Sequence, residues 1–269
     1  MMRRKSKVIQ YGKTAMVAGA SEGIGAAFAF ALAKEGMDLI LIARRQEKLS
    51  EVAEKIENQF GVKTICIQCD LADANALEII ENSITETEVD FMVYNAAVSP
   101  IGPFTNLTQE NLDLTTGVNI QTPLRLIHHF GGKMVARGKG AVVVVSSLAG
   151  FQGSGFISLY GATKAFGRIL AEGLWYEWRD RGVDVIACCA GATATPNYIN
   201  SNPAKSSLFA PRVQSPEEVA NECLRKLGKV PSFISGRGNR IASFLIHRIL
   251  PRRFAVMIMG DNTRKIYQM

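Results

Sequence analysis

A tyrosine and a lysine suited to proton transfer lie four positions apart in this sequence of 269 residues. If Tyr160 lies in a helix, Lys164 follows one turn later on the same face, and its ammonium group is then close to the phenol. A nearby positive charge favours the phenolate, so we expect Lys164 to lower the pKa of Tyr160 from its usual value of about 10. The phenol would then act as a general acid or base.

A serine at the end of an apolar run supplies a partner for this phenol. Residues 142–145 are consecutive valines, which indicate a buried strand, and Ser146 and Ser147 follow them. We expect the hydroxyl of Ser147 to hydrogen-bond the substrate oxygen that Tyr160 protonates or deprotonates. The Tyr-x-x-x-Lys spacing is also common on solvated helices, so it indicates catalysis only beside a binding site for a second reactant.

A glycine-rich turn near the N-terminus is a candidate for that binding site. Residues 14–18 are typical of a buried strand and residues 26–35 of a helix, and Gly19, Gly23 and Gly25 lie between them. Glycines allow the backbone to approach a pyrophosphate closely, and a helix N-terminus offers it free N–H groups. The G-x-x-x-G-x-G spacing differs from the commonest dinucleotide fingerprint, so a purely structural turn is the alternative.

Two arginines follow the second predicted strand, at the place where a dinucleotide enzyme contacts the adenosine ribose. Arg44 and Arg45 come directly after the apolar run 38–43, and no acidic residue occupies positions 42–46. Arginine accommodates a 2′-phosphate, whereas an acid binds the 2′-hydroxyl, so the sequence favours NADP over NAD. The alternative is a solvated helix entry. Asp70 and Leu71 close the third strand, where the acid could meet the adenine.

Strand-like and helix-like segments alternate along the whole chain, which predicts an α/β fold with a parallel sheet. No linker divides the sequence, so we expect one doubly wound domain over residues 1–269. Asn95 and Ala96 follow the fourth strand, and Asn95 is expected to tie neighbouring strands together. Asn119 lies between helical stretches at 108–119 and 122–137, as a kink or a cap.

Two later segments have no clear place in a minimal α/β core. Residues 193–215 are rich in Ser, Asn and Pro and form either a lid over the site or a mobile surface loop. The tail, 237–269, is basic and apolar, with five arginines and no acid between positions 237 and 254. Such a segment can lie on an anionic membrane. Alternatively its apolar side covers the core or a lipophilic cleft, and we expect this second arrangement.

The composition is that of an ordinary globular protein, with 47% hydrophobic and 20% charged residues. The net charge of +7 is compatible with an anionic ligand, a membrane surface or nucleic acid, but solubility alone explains it. We find no signal peptide or membrane-spanning run and expect a cytoplasmic protein. Cys66 and Cys69 should point to opposite faces of a strand, and with three histidines we expect no metal site.

Taken together, these motifs resemble the short-chain dehydrogenase/reductase family over roughly the first three-quarters of the chain. The resemblance implies a Rossmann fold with about seven parallel strands and hydride transfer between NADP(H) and a carbon bearing a hydroxyl or ketone. In it Tyr160 is the general acid/base and Ser147 polarises the substrate oxygen. Lys164 lowers the pKa of Tyr160 and holds the nicotinamide ribose, and Asn119 supports a proton relay through water.

The resemblance also implies a set of cofactor-binding residues spread over the strand ends. They are Gly19, Ser21, Gly23, Ile24, Gly25, Arg44, Arg45, Asp70, Leu71, Asn95, Ala96, Tyr160, Lys164, Gly191, Thr193 and Thr195. The sequence departs from the usual family pattern at Ala18, Ala97 and Ala190, where threonine, glycine and proline are common. None of these changes removes a chemical group from the catalytic set, although cofactor seating is affected.

A finer similarity is to hydroxysteroid dehydrogenases and to long-chain 3-oxoacyl reductases. It implies a bulky, hydroxysteroid-like lipophilic ketone or secondary alcohol as the small-molecule substrate. It also implies a homodimer or homotetramer formed through helices at 122–137 and 160–181. One alternative is a reductase of 3-oxoacyl thioesters. Another is a non-catalytic protein that senses nucleotides or binds nucleic acid, which the intact Asn119, Ser147, Tyr160 and Lys164 argue against; we therefore expect no nucleic acid partner.

Overall fold

The sheet that carries the site has seven parallel strands in the order β3-β2-β1-β4-β5-β6-β7, in a computed structural model that describes residues 8–201 and 212–267. The strands are β1 Thr14–Ala18, β2 Asp38–Ala43, β3 Thr64–Gln68, β4 Phe91–Tyr94, β5 Gly140–Ser147, β6 Val183–Ala190 and β7 Ser232–Ile234. The order reverses between β1 and β4, which opens a crevice at the carboxyl ends of these strands. The predicted doubly wound fold is confirmed.

Helices cover both faces of this sheet. They are α1 Gly23–Lys34, α2 Gln46–Phe60, α3 Ala76–Ser83, α4 Gln109–Thr116, α5 Thr122–Leu126, α6 Gly132–Arg137, α7 Ser158–Trp178, α8 Pro196–Asn200, α9 Pro216–Lys226, α10 Arg237–Phe244 and α11 Arg252–Ile266. None of the helices within the described residues is long and apolar enough to cross a membrane.

The central strands β1, β4, β5 and β6 are largely apolar because both faces of the sheet are buried there. Along β1, Ala15 and Val17 belong to one hydrophobic cluster, and Met16 and Ala18 belong to the cluster on the other face. The alternation extends past β3. Cys66 packs against the first cluster and Cys69 lies in the second, so the prediction that they occupy opposite faces is confirmed.

One stretch predicted as two helices is continuous. Between α4 and α6 the backbone stays helical through two π-helical segments, Gly117–Gln121 and Ile127–Gly131, with helical dihedral angles at every junction. Asn119 therefore lies inside a π-helical turn and is not a cap. Such wide turns are common at functional sites because they displace one side chain from the regular helical register.

The tail corrects the expected packing of its apolar side. On α10 the buried residues are the polar Asn239 and Ser243, and on α11 they are Ala255 and Thr263. The large apolar residues, by contrast, are exposed: Ile241, Phe244, Leu245, Ile249, Leu250, Phe254, Met257 and Ile258. The expectation that the apolar side covers the core or cleft is wrong, because the side that docks is polar and forms hydrogen bonds to the body of the protein.

The segment predicted as a lid is described only in part. Residue Thr193 pairs with Gln214 as an isolated parallel bridge, and α8 begins beyond Thr195. Residues 202–211, in the middle of that segment, lie outside the described residues, as do residues 1–7 and 268–269.

Candidate active site

Strand β5 delivers Ser147 to the carboxyl edge of the sheet. The strand is held between β4 and β6, and Ser147 is its last residue. The Ser147 hydroxyl accepts a hydrogen bond from the N–H of Ala149 at 3.2 Å. Its neighbour Ser146 is buried and donates to the backbone carbonyl of Lys164 at 2.7 Å. Ser146 therefore fixes helix α7 to β5, which leaves Ser147 as the serine that faces the crevice.

Close packing brings the start of α7 against the turn that follows β5. A Cβ on Gly150 would lie 2.8 Å from the backbone of Lys164 and Ala165, and one on Gly161 would lie 3.0 Å from the carbonyl oxygen of Ala149. The absence of side chains at these glycines permits the helix to approach this closely. As a result Tyr160, in the first turn of α7, lies next to Ser147.

The environment of Tyr160 raises the pKa of its phenol above the usual value. Burial is the largest cause, and the nearby phenol of Tyr267 adds to the increase, whereas a hydrogen bond with the Ser147 hydroxyl lowers the pKa. The expectation that the pKa of Tyr160 falls is therefore wrong for the chain by itself. The phenol is neutral at working pH and is suited to donating a proton to a substrate oxygen.

Lys164 lies one turn beyond Tyr160, as the spacing predicts. Its ammonium nitrogen is 5.6 Å from the centre of the Tyr160 ring and donates to the carbonyl oxygen of Val145 at 2.8 Å. The side chain is buried, and desolvation lowers the pKa of Lys164 to about 8. The amine thus remains mostly protonated near neutral pH but titrates far earlier than an ordinary lysine.

Asn119 binds the loop after β4 to the helix that carries it. Its Oδ1 accepts from the N–H of Val98 at 2.8 Å, and its Nδ2 donates to the carbonyl of Val98 at 2.8 Å and to Thr163 Oγ1 at 2.9 Å. Thr163 in turn donates to the carbonyl of Tyr160 at 2.9 Å. A small pocket borders Asn119, Thr163 and Lys164. These bonds connect Asn119 to the first turns of α7.

The glycine turn after β1 leaves an open cradle at the same edge of the sheet. Gly19 has φ +82°, and a Cβ on Gly25 would lie 1.9 Å from the carbonyl oxygen of Gly19. Helix α1 begins at Gly23, has no side-chain cap and carries no acid in its first turn. Its first N–H groups and the positive end of its dipole are therefore available to an anion such as a pyrophosphate.

The loop after β6 reaches this cradle from the other side of the crevice. A Cβ on Gly23 would lie 2.9 Å from Cγ2 of Thr195. Thr193 donates to the carbonyl of Gly191 at 3.0 Å, and Thr195 accepts from the N–H of Tyr198 at 3.2 Å to cap α8. The predicted residues after β6 and those after β1 are therefore neighbours in space.

Comparison with known proteins agrees with this arrangement. Residues 13–206 match the model of the short chain dehydrogenase family. The chain belongs to this family. It is 33% identical, over 86% of its own length and 88% of the other chain, to a 7β-hydroxysteroid dehydrogenase of Clostridium sardiniense.

Solved structures of related proteins have the same fold. A structure of a 7β-hydroxysteroid dehydrogenase superposes with a TM-score of 0.87 at 29% identity, covering 93% of this chain and 97% of the other. A short-chain dehydrogenase of Sphingobium yanoikuyae in complex with NADPH gives 0.74 at 29% identity, covering 83% and 87%. This chain is accordingly an oxidoreductase of the short-chain dehydrogenase type.

In this short-chain dehydrogenase the two arginines after β2 have different surroundings. Arg44 is exposed and forms no ion pair with any described residue. The guanidinium of Arg45 forms an ion pair with Glu22 at 2.9 Å and donates to Ser21 Oγ at 3.3 Å. Lys48 also pairs with Glu22, at 3.4 Å. Glu22 is therefore the shared ion-pair partner of Arg45 and Lys48, and Arg44 is the third cation of this cluster.

The remaining predicted cofactor residues serve as structural links around the cradle. Asn95 donates from Nδ2 to the carbonyl of Gly19 at 3.1 Å, and the N–H of Ala96 donates to the carbonyl of Ala18 at 3.0 Å. The expected tie between neighbouring strands at Asn95 is confirmed. Asp70 accepts from the N–H of Ala72 at 3.0 Å within a turn, and the carbonyl of Leu71 accepts from a buried threonine hydroxyl at 2.7 Å.

Several residues at the site were not predicted from the sequence. Thr163 connects Asn119 to the backbone of Tyr160, Tyr267 lies near the Tyr160 phenol, and Glu22 and Lys48 complete the cluster around Arg45. Lys48 carried a weak signal, because it lies in the first turn of the helix that begins directly after the two arginines. Tyr267 carried none, since the chain folds back over more than a hundred residues to bring it there.

The residues present fit a phosphorylated dinucleotide. At Gly19 and Gly25 the neighbouring backbone is too close for side chains to fit. The N-terminus of α1 has no side-chain cap. The cations of Arg44, Arg45 and Lys48 lie nearby. The first two features suit a pyrophosphate, and the cations suit a further phosphate on the adenosine ribose.

Proposed function

We propose that this short-chain dehydrogenase is an NADP-dependent oxidoreductase that interconverts a ketone and a secondary alcohol on a bulky lipophilic substrate of the hydroxysteroid kind. The observation that carries the proposal is the juxtaposition of Ser147, Tyr160 and Lys164 beside the glycine cradle at one edge of the sheet. The 7β-hydroxysteroid dehydrogenase relative and the NADPH complex support the substrate class and the cofactor.

Each residue of the site has a proposed part in the reaction. The bound nicotinamide supplies or accepts the hydride. Tyr160 transfers the proton to or from the substrate oxygen, which the Ser147 hydroxyl holds by a hydrogen bond. The ammonium of Lys164 lies beside the ring of Tyr160, stabilises the phenolate left after proton donation and binds the nicotinamide ribose. The pocket next to Asn119 is lined mainly by apolar side chains, but Asn119, Thr163 and Lys164 give it polar partners for a water that returns the proton.

The decisive variant is Tyr160→Phe, which removes the hydroxyl and keeps the ring. We expect turnover to fall by about 10²- to 10⁴-fold, the usual contribution of a general acid or base. Binding of NADPH, followed by fluorescence titration, should persist because the cradle is unchanged. A fully active Tyr160→Phe protein would exclude the phenol from the mechanism.

The substrate class is tested by a panel of carbonyl compounds followed through the absorbance of NADPH. We expect faster turnover with a ketosteroid than with a 3-oxoacyl-CoA of similar size. The reverse preference would favour the thioester reductase instead. Absence of NADPH consumption on the whole panel, together with tight and salt-sensitive RNA binding, would favour a non-catalytic protein.

The proposal extends to assembly and location. Exposed apolar side chains on the two helices predicted to pair, Leu124 on α5 and Ile169 and Tyr176 on α7, support a homodimer or homotetramer. The five cysteines are free, which suits the reducing cytoplasm. Sedimentation velocity of the purified chain gives the oligomeric state directly.

A further inference from the structure

The tail presents an apolar surface to solvent that the proposed reaction does not use. We call it the tail surface and define it by Ile241, Phe244, Leu245, Ile249, Leu250, Phe254, Met257 and Ile258, on α10, α11 and the residues between them. Phe244 is 60% exposed, Ile249 61% and Phe254 53%. Isolated exposed apolar residues are common on soluble proteins, but these eight large ones within residues 241–258 indicate a place of interaction.

The spacing of these residues places them on one side of each helix. On α10 and the π-helical turn that continues it, the exposed positions Ile241, Phe244 and Leu245 are three and four apart, and on α11 the same holds for Phe254, Met257 and Ile258. The opposite sides carry the buried residues of the tail and dock on the body of the protein. The apolar side is therefore the outward side of a well-anchored pair of helices.

The same segment holds most of the net charge of the protein. Residues 237–267 contain seven basic residues and one acid, a net charge of +6 in a chain whose total is +7. Arg237, Arg248 and Arg253 are exposed and form no ion pair with any residue in the described part of the chain, whereas Arg240 pairs with Glu222 at 2.6 Å. Exposed guanidinium groups thus flank the tail surface and would attract an anionic partner.

Two occupants suit an exposed apolar surface, a second copy of the chain and a lipid bilayer, and the charge distinguishes them. A two-fold contact between copies through this surface would bring two sets of arginines together, with Asp261 as the one acid in each segment to offset them. An anionic bilayer offers acyl chains to the phenylalanines and isoleucines and phosphates to the arginines. We propose that the tail surface docks this protein on the surface of an anionic membrane.

The inner side of α11 connects this surface to the site. Thr263 and Ser154 share a hydrogen bond of 2.6 Å between hydroxyls, and the guanidinium of Arg264 lies 5.4 Å from the centre of the Phe156 ring. Arg252 donates to the carbonyl of Phe151 at 3.1 Å. The segment 151–156 runs between Ser147 and Tyr160. A membrane against the tail surface would therefore lie next to the segment that borders the site.

Co-sedimentation of the full chain with lipid vesicles tests the proposal. One set of vesicles is phosphatidylcholine alone, and the other is phosphatidylcholine mixed with phosphatidylglycerol. We expect binding to the mixed vesicles and little binding to the neutral ones. Binding should disappear at about 1 M salt, where the screening length falls to about 3 Å. Failure to bind the mixed vesicles at low salt would overturn the proposal.

A charge variant with a matched control locates the contact. Arg248→Gln with Arg253→Gln should weaken vesicle binding by roughly 25-fold, at about fivefold for each basic residue near an anionic surface. Lys55→Gln with Lys63→Gln makes the same change in net charge at exposed positions beside β3, the opposite edge of the sheet. This control should bind as the native chain does. Equal losses in the two variants would reduce the effect to net charge and refute the tail surface.

An apolar variant separates the membrane from a second copy. Phe244→Ser with Phe254→Ser should weaken vesicle binding by roughly tenfold and leave the sedimentation coefficient unchanged. If this variant instead dissociates an oligomer, and the native chain ignores vesicles, the surface is an interface between copies. Tyr160→Phe should bind vesicles like the native chain, so the docking result does not depend on the proposed activity.

Discussion

The ammonium nitrogen of Lys164 lies 5.6 Å from the centre of the Tyr160 ring, and its hydrogen bond goes to the carbonyl of Val145. In the chain by itself, the pKa of Lys164 falls to about 8 while burial raises the pKa of Tyr160. Both shifts have the same cause: burial removes water from the two groups and so disfavours the phenolate and the ammonium. Near neutral pH, Tyr160 is therefore a neutral phenol, and the Lys164 ammonium beside it loses its proton more readily than an ordinary lysine.

This relationship predicts a pH dependence of stability. The pKa of Lys164 is lowered from 10.5 to about 8, so between these values the unfolded chain holds a proton that the folded chain has released. Stability due to this group is lowest below about pH 8 and rises toward pH 10.5, by up to about 3 kcal/mol. Urea unfolding at about pH 7 and about pH 10 measures this for the native chain and for Lys164→Met. The unfolding free energy of the native chain minus that of the variant should increase from the lower to the higher pH. A constant difference would contradict the shifted pKa.

The two serines at the end of β5 should respond differently to loss of the hydroxyl. Ser147→Ala should lower turnover by about 10²- to 10³-fold, because it removes a hydrogen bond to the reacting oxygen, and should leave stability nearly unchanged. Ser146→Ala breaks the bond to the Lys164 carbonyl and should cost about 1 kcal/mol of unfolding free energy, with a smaller effect on turnover. Kinetics and urea unfolding on both variants check the contrast. Equal kinetic losses would leave Ser147 without a special role.

The cradle predicts a strong effect of one methyl group. Gly25→Ala would place its Cβ 1.9 Å from the carbonyl oxygen of Gly19, so we expect a loss of NADPH affinity and of about 1 to 3 kcal/mol in unfolding free energy. Gly132→Ala is the control, since Gly132 is an exposed helical position with nothing near its Cβ. This change should stabilise the chain by roughly 0.5 to 1 kcal/mol. Thermal unfolding with and without NADPH measures both, and an unaffected Gly25→Ala protein would place the dinucleotide elsewhere.

The cation cluster predicts that Glu22 lowers the affinity for NADPH, because it competes with the cofactor for Arg45 and Lys48. Glu22→Gln releases Arg45 and Lys48 from their shared ion pair, so NADPH should bind up to about fivefold more tightly, in line with the weak energy of exposed pairs. Arg44→Ala should weaken NADPH more than NADH. Isothermal titration with both cofactors provides the readout. Parallel changes for NADPH and NADH in either variant would exclude recognition of the 2′-phosphate by this cluster.

Most of the fold was predictable from local patterns. The bounds of β1 and β2 agree with the predicted strands, because buried parallel strands are continuous apolar runs, here ended by a glycine and an arginine. The π-helical segments around Asn119 were not predictable, since they depend on contacts with the loop after β4.

The sequence by itself determined which chemical groups form the site. In a parallel sheet the carboxyl ends of all strands lie at one edge, so the residues that follow the strands come together there. Only the tertiary structure decided their electrostatics and the orientation of the tail. The pKa directions of Tyr160 and Lys164 follow from how much water the folded chain removes, which spacing alone does not report. The tail faces outward with its apolar side because Asn239 and Thr263, on its inner side, find hydrogen-bond partners on the body of the protein.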